Sequence, residues 1–159
     1  MKKSLLMLLM AGVSFFMLPA CGDDDDDNNT TVESKFEISE IPGTYYGQLL
    51  TMGAPVADSL GVTVESAGDN KINLSLEPIV IMGITIDQLS FPNIDCAYND
   101  STSTWNFTAE GLHVELMGGA IEADVDVKSG KFSKGGKLDF TVNVKSDAVN
   151  LDMDYSGNK

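Results

Sequence analysis

Apolar and polar residues alternate with a period of two along most of this chain from about position 36 onward. Ile72, Leu74 and Leu76 interleave with Asn73, Ser75 and Glu77. Ile121, Ala123, Val125 and Val127 interleave with Glu122, Asp124, Asp126 and Lys128. Leu138, Phe140, Val142 and Val144 interleave with Asp139, Thr141, Asn143 and Lys145, and Val149, Leu151 and Met153 with Asn150, Asp152 and Asp154. Such alternation marks strands with one dry face and one wet face. Further strands are predicted at 44–52 and 58–65, around Trp105 and Phe107, and around Leu112, Val114 and Leu116. The stretch 79–91 is less regular. It reads as one or two strands bent or bulged at Gly83, with a stop at Pro92. Turn residues sit between the runs, at 67–70, at 99–103, at Gly135-Gly136 and at Ser146-Asp147. No helical period is sustained beyond the first twenty residues. The expectation is an all-β domain over 36–159, an antiparallel meander of about 8–10 strands. Closing it into a small barrel would remove its exposed edges. The wet face is acidic and the dry face carries bulky side chains, the reverse of a barrel that shows an apolar band to lipid.

The first twenty residues follow another rule. Lys2 and Lys3 precede an apolar run over 5–18, which ends in Pro19-Ala20. A basic start, an apolar stretch too short for a spanning helix and a small residue before the cut describe a signal peptide over 1–20. Leu18-Pro19-Ala20-Cys21 resembles the lipobox of bacterial lipoproteins. That resemblance implies a lipid on Cys21 and cleavage before it. Each buried CH₂ of the acyl chains contributes about 0.8 kcal/mol, so two or three chains anchor stably. Residues 23–27 are five consecutive aspartates, which repel one another and predict an extended, unstructured tether over 21–35. The run lacks the spaced ligands and turn glycine of a calcium loop. Cys-Gly followed by acids also resembles the export signal of Bacteroidota lipoproteins. This implies the outer membrane with the protein on the cell surface, its periplasmic face being the alternative.

Charge narrows the range of partners. Cleavage before Cys21 removes Lys2 and Lys3 and takes the formal charge from −14 to −16. Such a chain repels nucleic acid phosphates and anionic headgroups, so nucleic acid is excluded as a partner and membrane attachment falls to the lipid on Cys21. With Cys21 lipidated, Cys96 has no partner for an internal disulfide and reads as a small buried apolar residue.

The opening Gly43-Thr44-Tyr45-Tyr46-Gly47 and the ending over 137–142, with Tyr155-Ser156-Gly157, resemble the calycin-like β-barrel lipoproteins of Bacteroidota. The resemblance runs from about Ile41 to Gly157. It implies a lipocalin-like barrel, with Tyr45 where lipocalins place the Trp that closes the barrel base. It further implies a ligand cavity without an enzyme activity.

Tyr45, Trp105 and Phe107 are candidates to line such a cavity, although in a small barrel such side chains more often simply fill the interior. Met52, Met82, Met117 and Met153 would make a lining adaptable or fill gaps. His113, the only histidine, falls on a wet face without partners of matching spacing and reads as a surface residue. Ser59, Ser66, Ser90 and Ser101 have no nucleophile-elbow context. Glu122, Asp124, Asp126, Asp139, Asp152 and Asp154 would hold a cation or a basic partner, but a solvated barrel exterior explains them more simply. No metal and no cofactor is implied. Asp58-Ser59-Leu60 and Asp100-Ser101-Thr102 resemble Bacteroidota O-glycosylation acceptors. The expected function is a non-catalytic, membrane-anchored barrel for a small apolar or amphiphilic ligand. The alternative is a filled barrel that contacts a protein or glycan through its surface.

Overall fold

A computed structural model of the chain describes residues 34–81, 83–116, 119–147 and 149–159. The expected signal peptide over 1–20, Cys21 and the aspartate run lie outside the described residues, as do Met82 and Met117. Ten strands follow one another: β1 (Gly43–Thr51), β2 (Ala54–Gly68), β3 (Lys71–Leu76), β4 (Ile79–Ile81), β5 (Ile84–Ile86), β6 (Leu89–Asn99), β7 (Thr104–Leu116), β8 (Ile121–Ser133), β9 (Lys137–Lys145) and β10 (Asn150–Asn158). Eight of them form a closed antiparallel barrel in the order β1-β2-β3-β6-β7-β8-β9-β10, with β10 pairing back onto β1. The up-and-down meander expected from the alternation is therefore the architecture. It is interrupted once, where β4 and β5 leave the wall as a separate hairpin.

The inward face of each strand is its apolar face. Val62, Val64, Ile72, Leu74, Val125, Val127, Leu138 and Val142 are all buried, each contributing about 1.5–3 kcal/mol of burial. Closure curves the wall, and the curvature comes from bulges that add a residue on one strand. The sequence pattern splits Trp105–Phe107 from Leu112–Leu116, yet β7 is one continuous strand. Register shifts between Phe107 and Leu112 move its apolar set from odd to even positions. Likewise Pro92 does not end β6. A bulge at Pro92-Asn93 lets the strand run on to Asn99, with Asn93 at a positive φ. Three backbone amides, two of them in bulges, find side-chain acceptors on the neighbouring strand or just past its end. Gly61 N–H donates to Glu77 Oε2 (3.0 Å), Asn93 N–H to Asn73 Oδ1 (2.9 Å) and Gly111 N–H to Asp126 Oδ1 (2.7 Å). An unpaired amide is costly, so these acceptors make the bulges tolerable.

The two barrel ends differ. The chain enters at the end formed by Gly43, Asn99, Thr104, Lys137 and Asn158, and plugs it. Phe36 and Ile41 are buried there, flanking a 3-10 turn at Ile38–Glu40. Trp105 Nε1–H donates to the Phe36 carbonyl at 2.9 Å, Tyr45 O–H to that of Ile41 at 2.6 Å, and Lys159 Nζ to that of Glu40 at 2.9 Å. Behind the plug, Phe132 packs against Phe107 and Tyr45 at centroid distances of 5.0 and 5.8 Å. The Phe107 ring occupies the space where a Cβ on Gly130 would sit. Tyr155 stacks on Phe140 at 4.7 Å and donates its O–H towards the carbonyls of Tyr45 (3.0 Å) and Leu60 (3.3 Å).

Candidate apolar site at the far end of the barrel

The opposite end is roofed by the β4–β5 hairpin. Its exit from β3 is fixed by a reciprocal clasp. Glu77 N–H donates to the Gly61 carbonyl at 3.0 Å while the Glu77 carboxylate accepts from Gly61 N–H. Gly83, at φ +82°, makes the tight turn. Within the hairpin Ile79 pairs with Ile86 and Ile81 with Ile84. Alternation buries Ile79, Ile81 and Ile86 and leaves Val80 61% exposed.

Under this roof lies an apolar cavity of about 130 Å³. Ile81, Ile84 and Ile86 form one side, Ile121 and Ala123 of β8 another, and Val144, Val149, Leu151 and Met153 of β9–β10 the rest. Ser146 is the one polar residue in the lining. Its Oγ accepts from Val149 N–H (3.1 Å) and its own N–H donates to the Val149 carbonyl (2.7 Å). Val149 therefore sits in the β9–β10 turn, half exposed at the cavity rim, and β10 begins one residue after it. Met52 and Val80, two other exposed apolar side chains, also belong to this end.

A larger concavity of about 710 Å³ runs across the outer wall, over β6 to β10. It is an open polar face whose side chains are held by one another. Lys131 and Lys137 reach Asp139 at 3.7 and 3.1 Å, Ser156 donates to Asp139 at 2.7 Å, and Thr141 donates to Asp154 at 2.8 Å. Burial alone would raise the Asp139 pKa, but Ser156, Lys137 and Lys131 outweigh it and hold the carboxyl below its ordinary value. The apolar end cavity is the better candidate, because enclosure and apolar lining are what recognise a small ligand.

None of the three candidate lining residues borders the end cavity. Tyr45 and Trp105 bind the plug, and Phe107 packs in the core, where its ring also touches the floor of the outer groove. The cavity is lined instead by inward residues of β8–β10 that the alternation already picked out, plus the hairpin isoleucines. Those isoleucines stand in an irregular stretch whose placement sequence pattern could not supply.

The titratable groups are dispersed. Cys96 is buried opposite Phe107, and burial, then the Asp95 charge, pushes its thiol up to about 11. His113 stands further along the wall and pairs with Asp124 at 3.1 Å. The acids serve neighbours: Asp126 the Gly111 amide, Asp152 both Lys128 (3.2 Å) and Asn143 (2.7 Å), Asp95 Lys71. Among the described residues, no three His, Cys, Asp or Glu side chains gather as a metal-ligating group. Asp58 and Ser59 are exposed within β2, whereas residues 100–102 form an exposed turn at the plugged end, where the Asn99 side chain accepts from the Ser101 and Thr102 amides.

The fold thus defines a closed eight-stranded antiparallel barrel with one plugged end and one apolar end cavity. No family model matches the chain, and no curated protein matches it. Among solved structures it is similar to the crystal structure of "a putative outer membrane protein" from Bacteroides fragilis, with a TM-score of 0.56 and 13% identity. The match covers 76% of this chain and 52% of that one, so the chain spans about half the length of its structural neighbour. At this identity the likeness is one of fold.

Proposed function

We propose that this protein is a lipid-anchored, non-catalytic binding protein of the outer membrane, of the calycin-like kind it resembles. Its ligand is a small apolar or amphiphilic molecule, whose apolar part enters the cavity under the β4–β5 hairpin. The observation that carries this reading is the cavity itself, with nine of its ten lining residues apolar. A void of comparable size lined by aliphatic and aromatic side chains stays dry and accepts a benzene-sized group. The ligand would therefore insert one end and leave the remainder at the mouth. The outer-membrane description of the structural neighbour supports the compartment.

A second reading has its own observation. The interior near the plug is filled by Tyr45, Phe107, Phe132, Phe140 and Tyr155. A filled barrel would act through its surface.

Methyl NMR separates the two. Toluene added to the barrel should shift the Ile81, Ile84, Ile86 and Ile121 methyls saturably, and Ala123→Leu, which fills the cavity, should abolish the shifts. Silent isoleucines in a folded sample would overturn the cavity reading and leave the surface one.

A further inference from the structure

We infer that the trough across the outer wall is a second binding site, built for a neutral glycan chain lying across the strands. It is separate from the end cavity and does not depend on it. At about 710 Å³ it falls within the roughly 300–1,000 Å³ that ligand clefts span. Two rows of outward side chains cross the ladder here. Asn106, Lys131, Asp139, Ser156 and Gln48 stand opposite one another in turn on β7, β8, β9, β10 and β1. Two residues along the strands, Ser129, Thr141, Asp154 and Leu50 do the same on β8, β9, β10 and β1. Neighbouring strands lie about 4.8 Å apart, so the trough runs about 24 Å along the wall from Ala97 of β6 to Leu50 of β1. Its two rows are about 7 Å apart. That is a channel for an extended chain rather than a pocket for a compact molecule.

The polar groups of the trough divide into fixed acceptors and free donors. Asp139 is 22% exposed, whereas the aspartates of the other ion pairs are 59% exposed or more, and Lys131, Lys137 and Ser156 hold it in place. Thr141 fixes Asp154 in the same way. Asn106 Oδ1 accepts from Thr104 Oγ1 at 3.1 Å, which leaves its Nδ2 without a partner among the described residues. The hydroxyls of Thr108 and Ser129 have none either. Sugar hydroxyls donate and accept at once, so they match a wall that offers carboxylates, an amide and hydroxyls together. Charge favours a neutral occupant. The whole chain carries −14, yet the trough is lined by two lysines and three aspartates, and Lys71 and Lys137 beside it pair with Asp95 and Asp139. A polyion finds no strong field of one sign there. A protein partner needs aromatic or apolar anchors at the centre of its interface. Phe107, Phe140 and Tyr155 of the lining are buried, which leaves Leu50 and Ala97 as its outward apolar side chains.

The test uses the chain from residue 22 onward, which contains the whole barrel closed by β1–β10 pairing. The probes are four neutral linear hexasaccharides: cellohexaose, maltohexaose, mannohexaose and xylohexaose. Amide and Asn106 side-chain NMR signals give the location, and isothermal titration calorimetry gives the affinity. At least one hexasaccharide should shift Asn106, Ser129, Thr141 and Ser156 saturably. It should bind about tenfold more tightly than its own disaccharide, the gain from one or two further hydrogen bonds. The affinity should be the same in about 0.1 M and about 1 M salt, since no charge on the ligand is there to be screened. Ser129→Trp, at an exposed position inside the trough, should abolish the shifts. Asn106→Ala should weaken binding about fivefold, and both variants should keep the circular dichroism of the parent. Unmoved signals with all four hexasaccharides would overturn the inference. So would a disaccharide that binds as well as its hexasaccharide, or shifts that survive Ser129→Trp. Dextran sulfate binding at these signals more tightly than every neutral chain would overturn the neutral assignment. The isoleucine methyls, read in the same titrations, report on the end cavity separately, so failure of this site leaves that reading standing.

Discussion

His113 and Asp124 face each other across β7 and β8, with Nδ1 3.1 Å from Oδ1. The hydrogen bond to Asp124 raises the histidine pKa; burial opposes it, and the charges of Asp124, Glu122 and Glu115 add to the rise. A raised folded-state pKa means that the folded chain binds the proton more tightly than the unfolded one. The pair therefore stabilises the barrel on the acid side of the ordinary histidine value. That contribution is lost as pH rises through the folded-state value. Asp124→Asn should bring the His113 titration down towards its ordinary range in an NMR pH series, with a remnant of elevation left by Glu122 and Glu115. An unmoved titration would show that Asp124 is not the main cause. The same residue-level logic separates the acids. Glu77 accepts from the Gly61 amide where β3 ends and Asp126 from a bulge amide, Asp139 holds two lysines and a serine, and Glu115 and Glu122 are left facing each other. Type and spacing made these carboxylates look alike, and their partners distinguish them.

At the scale of the element, the bulge governs both what is stable and what can be read in advance. Register shifts within β7 and β8 bring Phe107 of one strand opposite Gly130 of the next. The ring fills the place of the missing side chain. Gly130→Ala should therefore cost about 1–3 kcal/mol, the usual penalty for overpacking a core, and lower the urea midpoint at unchanged slope. A midpoint equal to that of the parent would mean that Phe107 moves aside without loss. These shifts also explain the limits of the sequence pattern. Alternation located β3, β9 and most of β8 because these strands carry no inserted residue over the alternating positions, the bulges beside them adding theirs to β2, β6 and β7. It failed beyond Val127, where Lys128 and Ser129 are both exposed and Gly130 and Phe132 take over the inward face. It split β7 and stopped β6 at Pro92 for the same reason: an inserted residue changes the parity of every side chain after it. In the candidate site, Ile121, Ala123, Leu151 and Met153 were legible as an inward face. That Ile81, Ile84 and Ile86 cover them was not, because the hairpin pairs only with itself and its docking is tertiary. Aromatic size drew attention to Tyr45, Trp105 and Phe107, but their work is to hold the plug and fill the core.

For the whole molecule, the distribution of polarity decides how it meets a membrane. The interior is apolar, and the outer wall carries cross-strand pairs such as Lys71–Asp95, Lys128–Asp152 and Thr141–Asp154. A barrel that spans a bilayer shows lipid an apolar band around a polar interior, and this one has the opposite arrangement. Among the described residues no helix is long and apolar enough to cross either. With its strongly negative charge the chain also lacks the basic surface that anionic headgroups attract. The proposed attachment therefore rests on Cys21, at the end of the apolar run over 5–18 and its Pro19-Ala20. Cys21→Ala should abolish incorporation of labelled palmitate and move the protein out of the membrane fraction, while circular dichroism of the purified barrel stays unchanged. Label retained by the variant would remove Cys21 as the acylation site. Loss of label with the protein still in the membrane fraction would shift attachment to the barrel, where Met52, Val80 and Val149 are the exposed apolar side chains of the far end. A lipid on Cys21 and an apolar contact through Met52 and Val80 are chemically distinct points of attachment. Combining Cys21→Ala with Met52→Ser and Val80→Ser would then release the protein only if the second were in use.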